Sequence, residues 1–174
     1  MRAHNHGATM DTKDSIRVRK GLLPSPGSLA SNEIDLMGSA TVLCSSEQLG
    51  HPIEQLLDGR SGRGATSWTS ARANATEEIV IEFDAPEHIA RIIFDAEEVH
   101  TERTQQVTIE TSSDGGQTFR KCLMQEYTFS PRGSTYQRED LSFDLHAVTH
   151  LRLIIVPNKG GGGTASLTSV RVFR

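Results

Sequence analysis

Aromatic side chains are scarce in this chain: one Trp, two Tyr and six Phe, 5% of 174 residues. Its core must come mainly from Val, Ile and Leu, within a hydrophobic content of 36%. The length suits one domain with a proper core. Cysteine is scarcer still. Cys44 and Cys122 stand far apart, and two thiols do not make a disulfide-dense secreted scaffold. They read as buried reduced thiols, pairing only if their strands lie close together. No apolar run approaches the ~20 residues of a membrane span. The opening segment MRAHNHGATMDTKDSIRVRKGLL has no apolar stretch followed by a small-residue cleavage site. No export signal is visible, and a cytoplasmic location is the expectation.

Catalytic signatures are missing too. There is no G-x-S-x-G elbow, no C-x-x-C and no H-E-x-x-H. His146 and His150 are four apart, which would suit metal ligands on a helix, but they fall where a turn between strands is expected, so they predict no zinc site. His4 and His6 in the tail could hold a metal loosely or be incidental. Glu97-Glu98 and Glu139-Asp140 are sequence neighbours, which face opposite sides of a strand and make no acid/base pair. They read as solvated loop charges. The glycine run 160–163 lacks the Lys-Ser/Thr and helix of a phosphate loop and reads as a flexible connection. No enzyme is expected.

The formal charge of −4 is unevenly placed. Residues 1–32 carry five Lys/Arg against two Asp/Glu, a balance of +3; residues 33–174 carry thirteen against twenty, or −7. An acidic body argues against binding a nucleic-acid backbone, and the basic tail is too short and mixed for a nucleic-acid arm. Residues 1–33 read as a flexible N-terminal tail and linker. Within it Ile16 and Val18 alternate with Arg17 and Arg19, as a short strand or docking segment would.

What is present is a succession of short strands. Glu33 to Cys44 reads as a first strand bent at Gly38. In Glu78 to Asp84, Ile79, Ile81 and Phe83 point one way, and Pro86 ends the strand. His88 to Asp95, Thr104 to Thr111, Phe119 to Phe129, a polar edge strand Tyr136 to Leu145, an apolar central strand Thr149 to Val156, and Ala165 to Phe173 follow. SSDGGQTF, Ser112 to Phe119, matches the S-x-D-x-G-x-T-F/W Asp-box turn. A sialidase propeller would repeat it at a regular period; here there is one copy, which reads as a hairpin turn. Between the first two strands lies SSEQLGHPIEQLLDGRSGRGATSWTS, Ser45 to Ser70. Ile53, Leu56 and Leu57 share one face of a short helix that Asp58-Gly59 stops. Trp68 ends the loop, its ring either packed over the core edge or standing as a ligand platform.

The ordered pattern SSE, HP-I-x-x-LLDG and T-x-W resembles the discoidin family, also called the coagulation factor five/eight C-type domain. The resemblance implies an all-β fold, an eight-stranded antiparallel jelly-roll β-sandwich of the galactose-binding-like kind, over residues 34–174. EIDL with SSE, HLRLIIV and SLTSVRVF are also similar to two intracellular relatives: the N-terminal domain of a DNA single-strand-break repair scaffold and a small intraflagellar-transport subunit. Such relatives imply a non-catalytic binding module with a protein partner, used in interaction or scaffolding. The alternative is a lectin-like carbohydrate-binding module for galactose-type sugars. Either ligand would meet the loops at one end of the sandwich. Candidates there are Trp68, Arg72, Asn74, His100, Arg103, Tyr127, Arg132, Tyr136 and Lys159. The family also commonly holds a structural calcium ion at the Asp-Gly turn. The resemblance would place it on carbonyls near Leu56 and Arg60, the Asp58 carboxylate and Thr66, oxygen donors of the kind calcium takes.

Overall fold

The computed structural model describes residues 29–174 together with the strand Ile16–Val18 as backbone. The tail expectation for the rest of residues 1–28 lies outside the described residues. Ile16–Val18 forms β1, antiparallel to β2, with Arg17 opposite Leu43.

β2 is Ala40–Cys44, with Ala40, Val42 and Cys44 turned inward. The expected first strand from Glu33 is interrupted: Leu36–Ser39 makes one helical turn, α1. The cause is local. Asp35 caps the turn, its Oδ1 accepting from the Gly38 amide at 2.9 Å, while the Ser39 hydroxyl donates to the Asp35 carbonyl. A Cβ at Gly38 would lie 2.1 Å from the Asp35 carboxylate, so the cap needs glycine there. Ile53–Leu56 is a 3₁₀ turn burying Ile53 and Leu56, with Leu57 just beyond, as their spacing predicts. β3 is Trp68–Thr69.

Two strands dominate. β4, Glu77–Glu97, and β7, Tyr136–Val156, are each 21 residues long. Each joins two strands expected to be separate. Pro86 does not end β4; it falls within the register shift between Glu82 and Glu87, where the missing proline N–H costs no ladder bond. Ala147, at φ +53°, marks the corresponding irregularity in β7. The Tyr136–Leu145 part of β7 is an edge, as its polar pattern suggests: β4 pairs along one side of it, while β5 pairs only with the His150–Val156 part.

β5 (Arg103–Ser112) and β6 (Arg120–Phe129) form the hairpin predicted from SSDGGQTF. Gly115 and Gly116 both take positive φ at its tip. Asp114 accepts from the Ser112 hydroxyl and from the Thr118 amide and hydroxyl, so the Asp-box acts as a turn clamp. The last strand is split into β8 (Ser166–Leu167) and β9 (Ser169–Phe173).

The register gives the layers. The first half of β4 lies between β2 and the second half of β7, and the order β1-β2-β4-β7-β5-β6 follows. The second half of β4 lies between the first half of β7 and β9. β4 and β7 thus pass from one face of the antiparallel sandwich to the other. Val42, Ile79, Ile81, Ile92, Ile109, Leu151, Leu153 and Val172 fill the space between, with Trp68 and Phe94. Cys44 and Cys122 are unpaired, Cys44 buried and Cys122 half-buried.

Candidate functional site

Because β4 and β7 each double back between the layers, both ends of each strand reach the same end of the sandwich. The loops 59–67, 71–76, 98–102, 130–135 and 157–165 meet there. Hydrogen bonds join them in series. The Asn74 amide donates to the Gly163 carbonyl, and the Gly162 amide donates to Asn74 Oδ1. The Glu98 amide donates to the Thr135 carbonyl, and Arg63 donates to the Thr135 hydroxyl at 2.7 Å. Amides of Gly62 and Gly64 donate to Asp95 and Glu97. The glycine run 160–163 is therefore pinned by Asn74, where the sequence pattern reads as a free connection.

Arg103 is the knot of this arrangement. Its side chain is only 3% exposed. It donates to Glu98 at 3.0 Å, to Gln105 Oε1, to the carbonyls of Pro157 and Thr164, and to Ser166 Oγ at 2.7 Å. Burial pulls the guanidinium below its ordinary value, although Glu98 works the other way. The expectation that Arg103 meets a ligand is corrected: its donors are spent inside the protein. Trp68 as a ligand platform is corrected likewise. It is fully enclosed, with its indole N–H donating to the Ser46 carbonyl at 3.1 Å, and no ring face is open. Tyr127 is also buried, in edge contact with Phe94.

The other candidates stay at the surface. Arg72, Asn74, His100, Arg132 and Lys159 are exposed, and Tyr136 is half-buried. Arg72 makes a two-pronged bond to Glu77, whose side chain is fully buried. Burial raises the Glu77 pKa, yet bonds from Arg72, Ser45 and Ser46 outweigh it and leave the carboxyl below its ordinary value. Lys159 pairs with Glu126 at 3.3 Å. The Arg63 guanidinium lies 5.2 Å from the centre of the Tyr136 ring. Arg63 and Glu77 belong to this end and escaped the sequence reading, and Glu98 reads there only as a solvated loop charge. The partner of Arg63 is 72 positions away, whereas Arg72 and Arg103 pair with Glu77 and Glu98 five residues off, a spacing that carries no signal outside a helix. The neighbouring acids also differ from expectation: Glu97, Glu139 and Asp140 lie on strands, and Asp140 pairs with Arg91.

The Asp-Gly turn brings together two of the expected oxygen-bearing side chains, Asp58 and Thr66. Asp58 Oδ2 accepts from the Thr66 hydroxyl at 2.5 Å, and Oδ1 accepts from the Arg60 amide at 2.9 Å. Thr66 reaches Asp58 despite the intervening Gly- and Arg-rich loop. The side-chain donors are oxygen only, a hard set that fits calcium, and each carboxylate oxygen keeps a further lone pair.

A family model described as the F5/8 type C domain matches residues 41–170. The fold is similar to the family 32 CBM of Clostridium perfringens NanJ, solved in complex with galactose: TM-score 0.60, 15% identity, covering 82% of this chain and 98% of that one. It is also similar to CpGH89CBM32-5 of Clostridium perfringens, in complex with GalNAc-β-1,3-galactose: TM-score 0.58, 20% identity, 82% and 99% covered. The CBM32 of AlyQ, in complex with 4,5-unsaturated mannuronic acid, gives TM-score 0.54 at 20% identity, with 76% and 93% covered. No curated protein matches the sequence.

Proposed function

We propose, from the premise that this chain belongs to the F5/8 type C domain family, that it is a non-catalytic module binding a glycan, of galactose type, at the loop end of its sandwich. The observation that carries this reading is the set of polar side chains there. Arg132 and His100 are exposed on two loops joined by the Glu98–Thr135 backbone bond, and Tyr136 follows the first of these loops with Arg63 over its ring. Sugar hydroxyls would accept from Arg132 and His100. Tyr136 would supply apolar contact if Arg63 swings aside. Complexes of the structural neighbours with galactose-containing sugars support the class of ligand. A glycan array followed by calorimetry with galactose and N-acetylgalactosamine tests it. Tyr136→Ala and Arg132→Ala should each weaken binding about tenfold or more, and Arg132→Ala, exposed on its loop, should leave the melting temperature near wild type. A blank array would overturn the reading.

A second reading, protein interaction, has its own observation. Among the described residues no aromatic ring is openly exposed, whereas Leu49 and Val99 are, both in loops at this end. Leu49 stands at the Gln48–His51 turn, entirely in solvent. A protein partner isolated under native expression, and lost with Leu49→Asp or Val99→Asp, would favour this reading over the glycan. In either case we propose that the oxygens of Asp58 and Thr66, with carbonyls near Leu56 and Arg60, hold a structural calcium ion. No helix among the described residues is long and apolar enough to cross a membrane.

A further inference from the structure

At the far end of the sandwich from these loops, β4 and β7 bring together three metal-ligating side chains. Ile89 pairs with Leu145 in the ladder. Ile89 is fully buried and Leu145 packs against the core. Side chains alternate along a strand, so their neighbours His88, Asp144 and His146 stand on the outer face. Asp144 and His146 are two apart on β7 and share that face. The register shifts on either side of Glu87 then bring His88 onto them from β4.

Asp144 Oδ1 lies 3.0 Å from His88 Nε2 and 3.1 Å from His146 Nε2, and the three ligand atoms all fall within 4.8 Å of one another. The imidazole rings are stacked, with centroids 4.6 Å apart and planes at 22°. Two protonated rings so placed would repel each other. Each ring turns its Nε2 to the same Asp144 oxygen, and because both side chains are exposed, a rotation of one ring out of the stack would bring both nitrogens onto a common ion. A tetrahedral site with metal–ligand distances of ~2.0–2.2 Å spaces its ligand atoms by roughly 3.3 Å. The two nitrogen–oxygen separations are within a few tenths of an ångström of that.

We propose that His88, Asp144 and His146 form a binding site for a divalent transition-metal ion of the zinc class. Two imidazoles and one carboxylate suit zinc rather than calcium, which takes oxygen ligands. Three protein ligands leave a fourth position to water. The site is independent of the glycan reading and of the Asp58 loop. The helix-type pairing of His146 with His150 plays no part in it. His150 instead lies against Thr149 and the Phe119 ring.

The experiment is a Zn²⁺ titration of the full chain by calorimetry, with Co²⁺ absorption reporting the ligand field. His4 and His6 are controlled by His4→Ala/His6→Ala, and the calcium loop by Asp58→Ala. The expected result is one Zn²⁺ per chain at this site, weakened about tenfold or more by His88→Ala and by His146→Ala, and unchanged in both controls. All three side chains are exposed, so these variants should keep the wild-type melting temperature without metal. Wild type that takes up no Zn²⁺ at micromolar concentration would overturn the site. So would uptake that survives the His88→Ala/His146→Ala pair or vanishes with His4→Ala/His6→Ala.

Discussion

Replacing Arg103 by Ala should destabilise the domain more than any other change at the loop end. The side chain is 3% exposed and its partner Glu98 18%, so solvent screens the pair little. Truncation leaves Glu98 without its cation. Gln105 and Ser166, with the carbonyls of Pro157 and Thr164, also lose a donor each. Compensation is partial: Glu98 keeps the His100 and Thr101 amides, and Gln105 keeps the Ser166 amide. Breaking a buried pair by removing one partner costs about 3–5 kcal/mol. In a domain of this size each kcal/mol moves the melting temperature by about 2–4 °C, so the expected drop is roughly 6–20 °C. Arg103→Lys keeps the charge, but an ammonium cannot reach acceptors spread over so many directions, and it should fall between the two. Calorimetric melting with parallel urea unfolding measures this, an unchanged m-value showing that the native fold is retained. Arg103→Ala melting within about 2 °C of wild type would refute the knot argument.

Other outcomes follow from the same structure. Calcium should raise the wild-type melting temperature, EDTA should reverse the gain, and Asp58→Ala should abolish the response; at a hundredfold excess over Kd the gain is about 2.7 kcal/mol. A calcium response that survives in Asp58→Ala would move the ion elsewhere. Burial, with Glu47 beside it, pushes the Cys44 thiol up to about 12, so at pH ~8 a thiol reagent should titrate one cysteine, Cys122, in native protein and both after denaturation. Two fast native thiols would contradict the burial. Hydrogen bonds from Ser112 and Thr118 hold the Asp114 carboxyl far below its usual range. A depressed folded pKa contributes stability above the unfolded value near ~3.9, lost as pH falls toward the folded value. The gap in melting temperature between wild type and Asp114→Asn should therefore be full at neutral pH and shrink below about pH 4. A gap that stays constant into acid would disprove the clamp.

Local pattern carried much of the fold. Ile79, Ile81 and Phe83 face the core as their alternation says, and the hairpin at SSDGGQTF rests on residues four apart bonding each other. The continuity of β4 through Pro86 and of β7 through Ala147 was not legible, because pairing with a distant partner decides it. The α1 turn was missed although its signal, Asp35 three residues before Gly38, was present. At the site the failure has one source. An arginine next to a loop reads as available and a tryptophan there reads either way, and only the assembled fold shows that Arg103 reaches Ser166 across 63 positions and that Trp68 packs inward, reaching Ser46 across 22. His88 is likewise separated from Asp144 by 56 positions.

The two 21-residue strands also bear on how the chain folds. Each contributes to both faces, so neither face can mature as an independent unit, and a slip of one residue on one side would misalign the other. Most of the pairings close long loops, which makes the search slow. Amide protons along β4 and β7 should therefore exchange together, on either side of Pro86 and Ala147, through one global opening rather than layer by layer.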